Sequence, residues 1–208
     1  MRKFGAVLVL LSLLWLGGCG EKKSKEKPAP SHPPTEANRS VPVKPAPKLP
    51  ATRSFSIRDL DGRQTRLEFG KEKAVFHRIR QPIVMIVLFA DWCPPCRGML
   101  PYLGQLQTDN KESLFIIGVP VHSDLKNEKL RRFMLRYSIN FFVSQHPDND
   151  ALGSYLAQRL ELGSDYPLPL AVIYKNGKYV MHISGAAPYE MLQSIIEQLK
   201  DKKEKKER

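Results

Sequence analysis

The hydrophobic and polar positions of this chain follow two periods, and each change of period marks a predicted element. Segments 55–57 and 65–69 alternate apolar and polar residues on either side of Asp61-Gly62, which predicts a β-hairpin. The runs 82–90 and 114–121 are continuously apolar, as in strands that are buried on both faces of a sheet. A hairpin therefore precedes two strands of a buried sheet.

Segments with helical periodicity alternate with these strands. Residues 94–106, 125–137 and 151–162 carry apolar side chains at spacings of three and four. Alternation of strand and helix is typical of a three-layer α/β domain. About 150 residues lie between the two polar ends of the chain, which is enough for one domain with a sizeable core.

The last third of this region predicts a second hairpin. Residues 169–174 are apolar and, with Lys175, form a predicted strand that ends at Asn176-Gly177, a pair typical of a tight turn. Residues 179–184 form the returning strand. Pro188 then opens an amphipathic helix that extends to about residue 199.

The first 18 residues have the composition of a secretory signal peptide. Arg2 and Lys3 precede an apolar stretch from residue 4 to 16, which is short for a membrane span. The stretch ends in Leu-Gly-Gly-Cys19, which resembles the bacterial lipobox and implies that Cys19 carries a lipid. The alternative is an uncleaved signal anchor. Both place the domain outside the cytoplasmic membrane, where disulfides persist.

Residues 19–51 are predicted to be an extended tether, because segment 20–50 holds eight of the chain's 17 prolines and almost no large apolar side chains. Residues 200–208 are all charged and form a solvated tail, which leaves 52–199 as the folded domain. The net charge of +12 belongs mostly to the ends, since the domain itself carries only about +3. This distribution fits attraction to anionic lipid headgroups or cell-wall polymers, and we expect no nucleic-acid partner.

The candidate chemistry lies in Trp92-Cys93-Pro94-Pro95-Cys96, at the junction of the strand 82–90 and the helix that follows. A sulfur at a helix N-terminus lies beside unpaired backbone N–H groups and the positive end of the helix dipole, which favour thiolate over thiol. Cys93 is therefore the predicted nucleophile. Cys96, one turn further along and shielded, is placed to resolve the mixed disulfide that Cys93 forms.

Three other uses of two cysteines fit the sequence less well. Structural zinc needs four ligands, and the five histidines and Cys19 show no ligand spacing, so we expect no metal. Covalent haem needs a histidine directly after the second cysteine, where Arg97 stands. A structural disulfide that closes so short a loop would stabilise the fold only weakly. Redox exchange without a cofactor is the favoured interpretation.

The cysteine motif, Pro101 and the strand-turn segment 169–178 together resemble the thioredoxin fold. The preceding hairpin and the lipobox make the chain similar to extracytoplasmic thioredoxin-like proteins of the TlpA/ResA/CcmG type over residues 52–199. The resemblance implies a three-layer α/β/α domain with a mixed central sheet and an N-terminal β-hairpin. It also implies that Pro101 kinks the active-site helix.

The same resemblance implies the substrate-binding residues. Pro169 would be a cis-proline that faces the dithiol, and Leu168 before it would offer backbone groups to a substrate chain. An ordinary trans-proline is the alternative, since Pro167 lies nearby, but the spacing to the Asn-Gly turn favours the cis assignment. The residues expected to flank the reactive sulfur are Trp92, Pro94 and Pro95.

The chain departs from the family at its proton acceptors. Val87 stands where thioredoxin-like proteins usually have a buried carboxylate, and Met99 stands where ResA-like proteins have a glutamate. Asp91 is the nearest carboxylate in the sequence, and we expect it to be exposed. Pro95 lacks a backbone donor, which leaves the N–H groups of Cys96 and Arg97 for the sulfur of Cys93. A weakly stabilised thiolate indicates a reducing couple.

The favoured hypothesis is a lipid-anchored thiol-disulfide oxidoreductase that reduces or isomerises disulfides of exported cysteine-containing proteins. The resemblance adds apocytochrome c as a substrate class and a membrane thiol protein as electron donor. A disulfide-forming oxidase is the second hypothesis, and a Cu(I) metallochaperone is the third. Met85 and Met99 are expected to fill the core rather than bind copper. A monomer is expected.

Overall fold

The computed structural model describes residues 52–201. The predicted signal peptide 1–18, the lipidation site Cys19, the tether 19–51 and residues 202–208 of the tail lie outside the described residues. Two sheets and four helices make up the described part of the chain. Among its helices, none has the length and apolar character needed to cross a lipid bilayer.

The first sheet contains the predicted hairpin and one strand that the periodicity does not reveal. Its order is β1-β2-β3, with both pairs antiparallel. The strands are β1 (Arg53–Arg58), β2 (Gln64–Phe69) and β3 (Ala74–Phe76). β3 is only three residues long, which is too short for an alternating pattern to be recognised in the sequence.

The second sheet is the mixed central sheet of the domain, in the order β6-β5-β4-β7-β8. β4 pairs in parallel with β5 and antiparallel with β7. The strands are β4 (Ile83–Phe89), β5 (Leu114–Pro120), β6 (Phe142–Val143), β7 (Leu170–Lys175) and β8 (Lys178–Ser184). The predicted strands are confirmed, and the two-residue β6 was missed because of its length.

Four helices connect or follow these strands, at the places where helical periodicity predicts them. They are α1 (Pro94–Asp109), α2 (Asn127–Arg136), α3 (Asn149–Arg159) and α4 (Tyr189–Asp201). The start of α1 is the predicted one, and the other boundaries differ from the predicted ones by only a few residues. Such differences are expected because a helix end depends on local capping contacts.

The core has two halves, one on each face of the central sheet. Along β4 the side chains alternate: Met85 and Phe89 join one apolar cluster, whereas Ile86 and Leu88 join the other. The first cluster includes side chains of α1, α2 and α4, and the second includes those of α3 and the β1-β2-β3 sheet. All seven residues of β4 are buried, as expected of a strand covered on both faces. The three-layer α/β thioredoxin fold is thus confirmed.

Candidate active site

Three loops meet at one end of the central sheet. The end of β4 lies beside the end of β5, because Phe89 pairs with Pro120 in a parallel register. It also lies beside the start of β7, because Leu88 pairs with Leu170 in an antiparallel register. The loop after β4, the loop after β5 and the segment before β7 are therefore brought together. The cysteine pair lies in the first of these loops.

Cys93 is the N-cap of α1, as the sequence predicts. Its backbone is extended, with φ −83° and ψ 109°, and its Sγ accepts a hydrogen bond from the backbone N–H of Cys96 at 3.2 Å. Pro94 and Pro95 occupy the first two helical positions. Proline fits there because its fixed φ suits the helix and its missing N–H would have had no partner within the helix.

Cys93 and Cys96 form a disulfide, with their Cα atoms 5.3 Å apart. Cys93 is 4% exposed and Cys96 is 0% exposed. The small remaining exposure belongs to the first cysteine, so a partner sulfur reaches Cys93 before Cys96. This order is the one that an attacking and a resolving thiol require.

The donors around the Cys93 sulfur are fewer than predicted. Of the two N–H groups that the sequence leaves available, only that of Cys96 reaches the sulfur, because the N–H of Arg97 bonds to the Cys93 carbonyl at 3.2 Å. The Arg97 side chain is also engaged elsewhere, since its Nε donates to the carbonyl of Asp91 at 2.7 Å. The expectation that the Arg97 N–H serves the sulfur is wrong. It instead closes the first turn of α1.

The peptide bond between Leu168 and Pro169 is cis, which confirms the configuration expected of Pro169. The carbonyl oxygen of Leu168 lies 3.7 Å from the Sγ of Cys93. Pro169 also accepts a hydrogen bond from the N–H of Gly185 at 2.8 Å, which ties the segment to the end of β8. A backbone acceptor is therefore fixed directly beside the reactive sulfur.

A cleft of about 350 Å³ opens over Cys93. It contains four of the side chains expected to contact a substrate: Trp92, Pro94, Pro95 and Leu168. Its other lining residues were not predicted: His122, Ser164, Asp165 and Tyr166. The first comes from the loop after β5 and the others from the segment between α3 and the cis-proline. Sequence reasoning missed them because only the tertiary fold brings these loops together.

Trp92 is 58% exposed, yet its indole is fixed. Its Nε1 donates to the carbonyl of His122 at 2.8 Å, and the N–H of His122 donates to the Asp150 carboxylate at 2.6 Å. His122 has a left-handed backbone, with φ 49°. Both backbone polar groups of this one residue are thus bound by side chains, one from the cysteine loop and one from α3.

The positions that lack a carboxylate are buried among apolar side chains. Val87 is 0% exposed, and Met99 and Met85 are 2% and 0% exposed, so the methionines fill the core as expected. Asp91 departs from expectation: it is half-buried, and its carboxylate accepts a hydrogen bond from the Ser123 hydroxyl at 2.8 Å. The reason is that Ser123 follows β5 and reaches the Asp91 loop, a contact that the sequence does not reveal.

Tyr166 lines the cleft, and its pKa is shifted from the ordinary value for a tyrosine. Burial raises the pKa of its phenol, and the nearby Asp150 carboxylate raises it further. Its hydroxyl is buried without a hydrogen-bond partner. Over residues 52–201 no three His, Cys, Asp or Glu side chains are grouped so that they could hold a metal ion.

Comparison with known proteins gives relatives that include several thiol-disulfide oxidoreductases. The chain is 26% identical over 147 residues to the thiol-disulfide oxidoreductase ResA of a Bacillus cereus strain, a match that covers 70% of this chain and 75% of the relative. It is 28% identical over 148 residues to ResA of Geobacillus thermodenitrificans, with 70% and 74% covered. The chain matches no protein-family model.

Solved structures share the fold of this chain. A thiol:disulfide interchange protein of the thioredoxin family from Chlorobium tepidum superimposes with a TM-score of 0.56 at 19% identity, covering 70% of this chain and 92% of that one. A thio-disulfide isomerase from Thermus thermophilus gives a TM-score of 0.51 at 19% identity, covering 76% and 97%. At this level of identity, the structural likeness establishes the fold.

Proposed function

Because the chain is a thioredoxin-fold thiol-disulfide oxidoreductase of the ResA/CcmG type, we propose that it reduces or isomerises disulfides of exported proteins from a membrane anchor. Cys93 is the attacking thiol and Cys96 the resolving thiol. The observation that carries this proposal is the geometry of Cys93, a helix N-cap whose sulfur opens into a cleft beside the cis-proline segment.

The direction of electron flow is inferred from the number of hydrogen-bond donors around the sulfur of Cys93. A thiolate at Cys93 receives one backbone N–H, from Cys96, while the guanidinium of Arg97 is held by the Asp91 carbonyl. A couple becomes oxidising when its reduced thiolate is strongly stabilised. Few donors therefore favour a reducing couple, and with it a reductase or isomerase over a disulfide-forming oxidase.

The proposed substrate groove consists of the exposed Trp92, the two prolines of the motif and Leu168, and Pro169 directly follows Leu168 without lining the cleft. An extended substrate segment placed along Leu168 would set its own sulfur next to Cys93. Apocytochrome c is the proposed substrate class and a membrane thiol protein the proposed electron donor. Lipid attachment at Cys19 would hold the domain at the outer side of the cytoplasmic membrane or, in a Gram-negative cell, facing the periplasm.

Three measurements test this function. The protein should reduce insulin disulfides and refold a scrambled disulfide substrate, and Cys93→Ser should abolish both activities. Activity that survives chelation excludes a Cu(I) carrier. The reduction potential of the Cys93/Cys96 couple should lie below roughly −200 mV. A value near about −120 mV on the same scale would assign the protein to the oxidases.

Trapping separates the roles of the two cysteines. Cys96→Ser should accumulate mixed disulfides with exported proteins, since the first exchange proceeds and the release step is lost. Cys93→Ser should trap almost nothing. Equal trapping by both variants would contradict the assignment. Cys19→Ala should change membrane fractionation and leave insulin reduction by the purified protein intact, because anchoring and exchange use different cysteines.

A further inference from the structure

Thiol-disulfide exchange requires a proton acceptor near the attacking thiol, because only the thiolate is nucleophilic. The core around the cysteine pair supplies none from Val87 or Met99, which are apolar and buried. The carboxylate of Asp91 already accepts a hydrogen bond from Ser123. The acceptor is therefore to be sought among the side chains that line the cleft over Cys93.

Three titratable side chains besides the cysteine line that cleft: His122, Asp165 and Tyr166. Tyr166 is unsuitable as a base, because burial and the Asp150 charge raise the pKa of its phenol and keep it protonated at neutral pH. The carboxylate of Asp165, like that of Asp91, already accepts a serine hydroxyl, that of Ser164 at 3.5 Å. The imidazole is the side-chain group that changes charge between pH 5 and 8.

His122 is held at the cleft by groups on both sides. Trp92 Nε1 binds its carbonyl at 2.8 Å, and the Asp150 carboxylate binds its N–H at 2.6 Å. The same carboxylate oxygen lies 3.8 Å from the imidazole Nδ1. The ring remains 53% exposed, so protons can exchange with water.

The charged and titratable groups around His122 come from three elements. Asp150 belongs to α3, and Asp165 and Tyr166 belong to the segment before the cis-proline. Asp124, two residues further along, is paired with Lys129 at 2.6 Å. Among these groups, the carboxylate that contacts the His122 ring is that of Asp150.

We propose that His122, oriented by Trp92 and Asp150, is the proton acceptor of the Cys93 thiol; this role deepens the proposed exchange function and rests on it. The Cys93 thiol gives its proton to the imidazole, and the electron pair of the thiolate forms a bond to one substrate sulfur. The bond between the two substrate sulfurs breaks, and the leaving sulfur takes both electrons and then a proton from the imidazolium. Cys93 is oxidised to the mixed disulfide and the leaving sulfur is reduced to a thiol.

The test follows alkylation of Cys93 by iodoacetamide in the reduced full-length protein, with the modified Cys93 peptide quantified by mass spectrometry from pH 5 to 9. His122→Asn removes the titratable ring and keeps a residue that tolerates a left-handed backbone. At pH 6 this variant should react about three- to tenfold more slowly, the range that one charge pair across a small cleft produces. At pH 9, where the thiolate forms without help, its rate should match that of the wild type.

Two further variants serve as comparisons. Asp150→Asn keeps an oxygen to accept the His122 N–H but removes the charge. Its rate of alkylation at pH 6 should therefore fall between those of the wild type and His122→Asn. His182→Asn alters a histidine of β8 that bonds Tyr179, and it should follow the wild-type profile.

A His122→Asn profile that coincides with the wild type overturns the proposal. A rate reduced equally at pH 6 and pH 9 also overturns it, since that outcome indicates a changed structure rather than a lost proton acceptor. Alkylation needs no protein substrate. A failure of the exchange function would therefore appear as absent insulin reduction with an intact pH dependence at Cys93, and the two failures are distinguishable.

Discussion

Substitution by alanine should change the stability of the protein in opposite directions at two glycines of α1. A Cβ added to Gly98 would meet no heavy atom within 4 Å, whereas a Cβ on Gly104 would lie 2.5 Å from the carbonyl oxygen of Ser138. That oxygen belongs to the backbone after α2 and cannot rotate away. α1 carries the cysteine pair at its start, so this close approach fixes the far end of the active-site helix.

The magnitudes follow from the two environments. Alanine replaces glycine in a helix interior with a gain of about 0.5–1 kcal/mol, and Gly98→Ala should show the full gain. In Gly104→Ala the same gain is set against overpacking of about 1–3 kcal/mol, toward its upper end because the clash is with backbone. We expect a net loss of about 1–2 kcal/mol for Gly104→Ala.

Urea denaturation of the oxidised full-length proteins, followed by circular dichroism, measures both changes. The variants should differ by about 2–3 kcal/mol in free energy of unfolding, with Gly98→Ala above the wild type and Gly104→Ala below it. Since about 1 kcal/mol shifts Tm by about 2–4 °C for a chain of this size, thermal scans should separate them clearly. Equal stability of the two variants would refute the close approach between α1 and the loop after α2.

Two other outcomes are expected. In a Cys96→Ser background, Pro169→Thr should lengthen the lifetime of mixed disulfides on non-reducing gels because Pro169 directly follows Leu168, which lines the cleft, whereas Pro167→Thr should leave it unchanged. The Asp109 carboxylate accepts the Tyr189 hydroxyl at 2.6 Å and raises the pKa of that phenol to about 12. Its contribution to stability is thus present below about pH 10 and lost as the pH rises through about 12. In Asp109→Ala, ultraviolet titration should show the phenolate of Tyr189 appearing at a lower pH than in the wild type.

Elements with a clear pattern of apolar and polar residues could be predicted from the sequence. β4 is buried on both faces and its apolar run has no interruption, and Cys93 is an N-cap because Pro94 suits the first helical position. The short β3 and β6 could not be found, since two or three residues hold no recognisable period.

The sequence predicts those parts of the candidate site whose residues are close together along the chain. The two cysteines and the prolines of the motif act through neighbouring backbone, so their positions follow from the start of α1. The Trp92–His122–Asp150 contacts join three distant segments, and the Asp91–Ser123 hydrogen bond joins two. No spacing in the sequence encodes such contacts, because they arise only when the ends of β4 and β5 meet α3.

The sulfur of Cys93 has two tasks, since the atom that attacks a substrate also completes the first turn of α1 by accepting the Cys96 N–H. Sulfur keeps lone pairs as a thiolate, in the internal disulfide and in a mixed disulfide. The helix can therefore keep its cap in every state of the catalytic cycle, and catalysis need not unravel the element that positions it. Cys93→Ser would preserve this acceptor while Cys93→Ala would remove it, at a cost of about 1 kcal/mol. An inactive Cys93→Ala protein would thus report a lost nucleophile and a weakened helix together, which makes serine the substitution that isolates the chemistry.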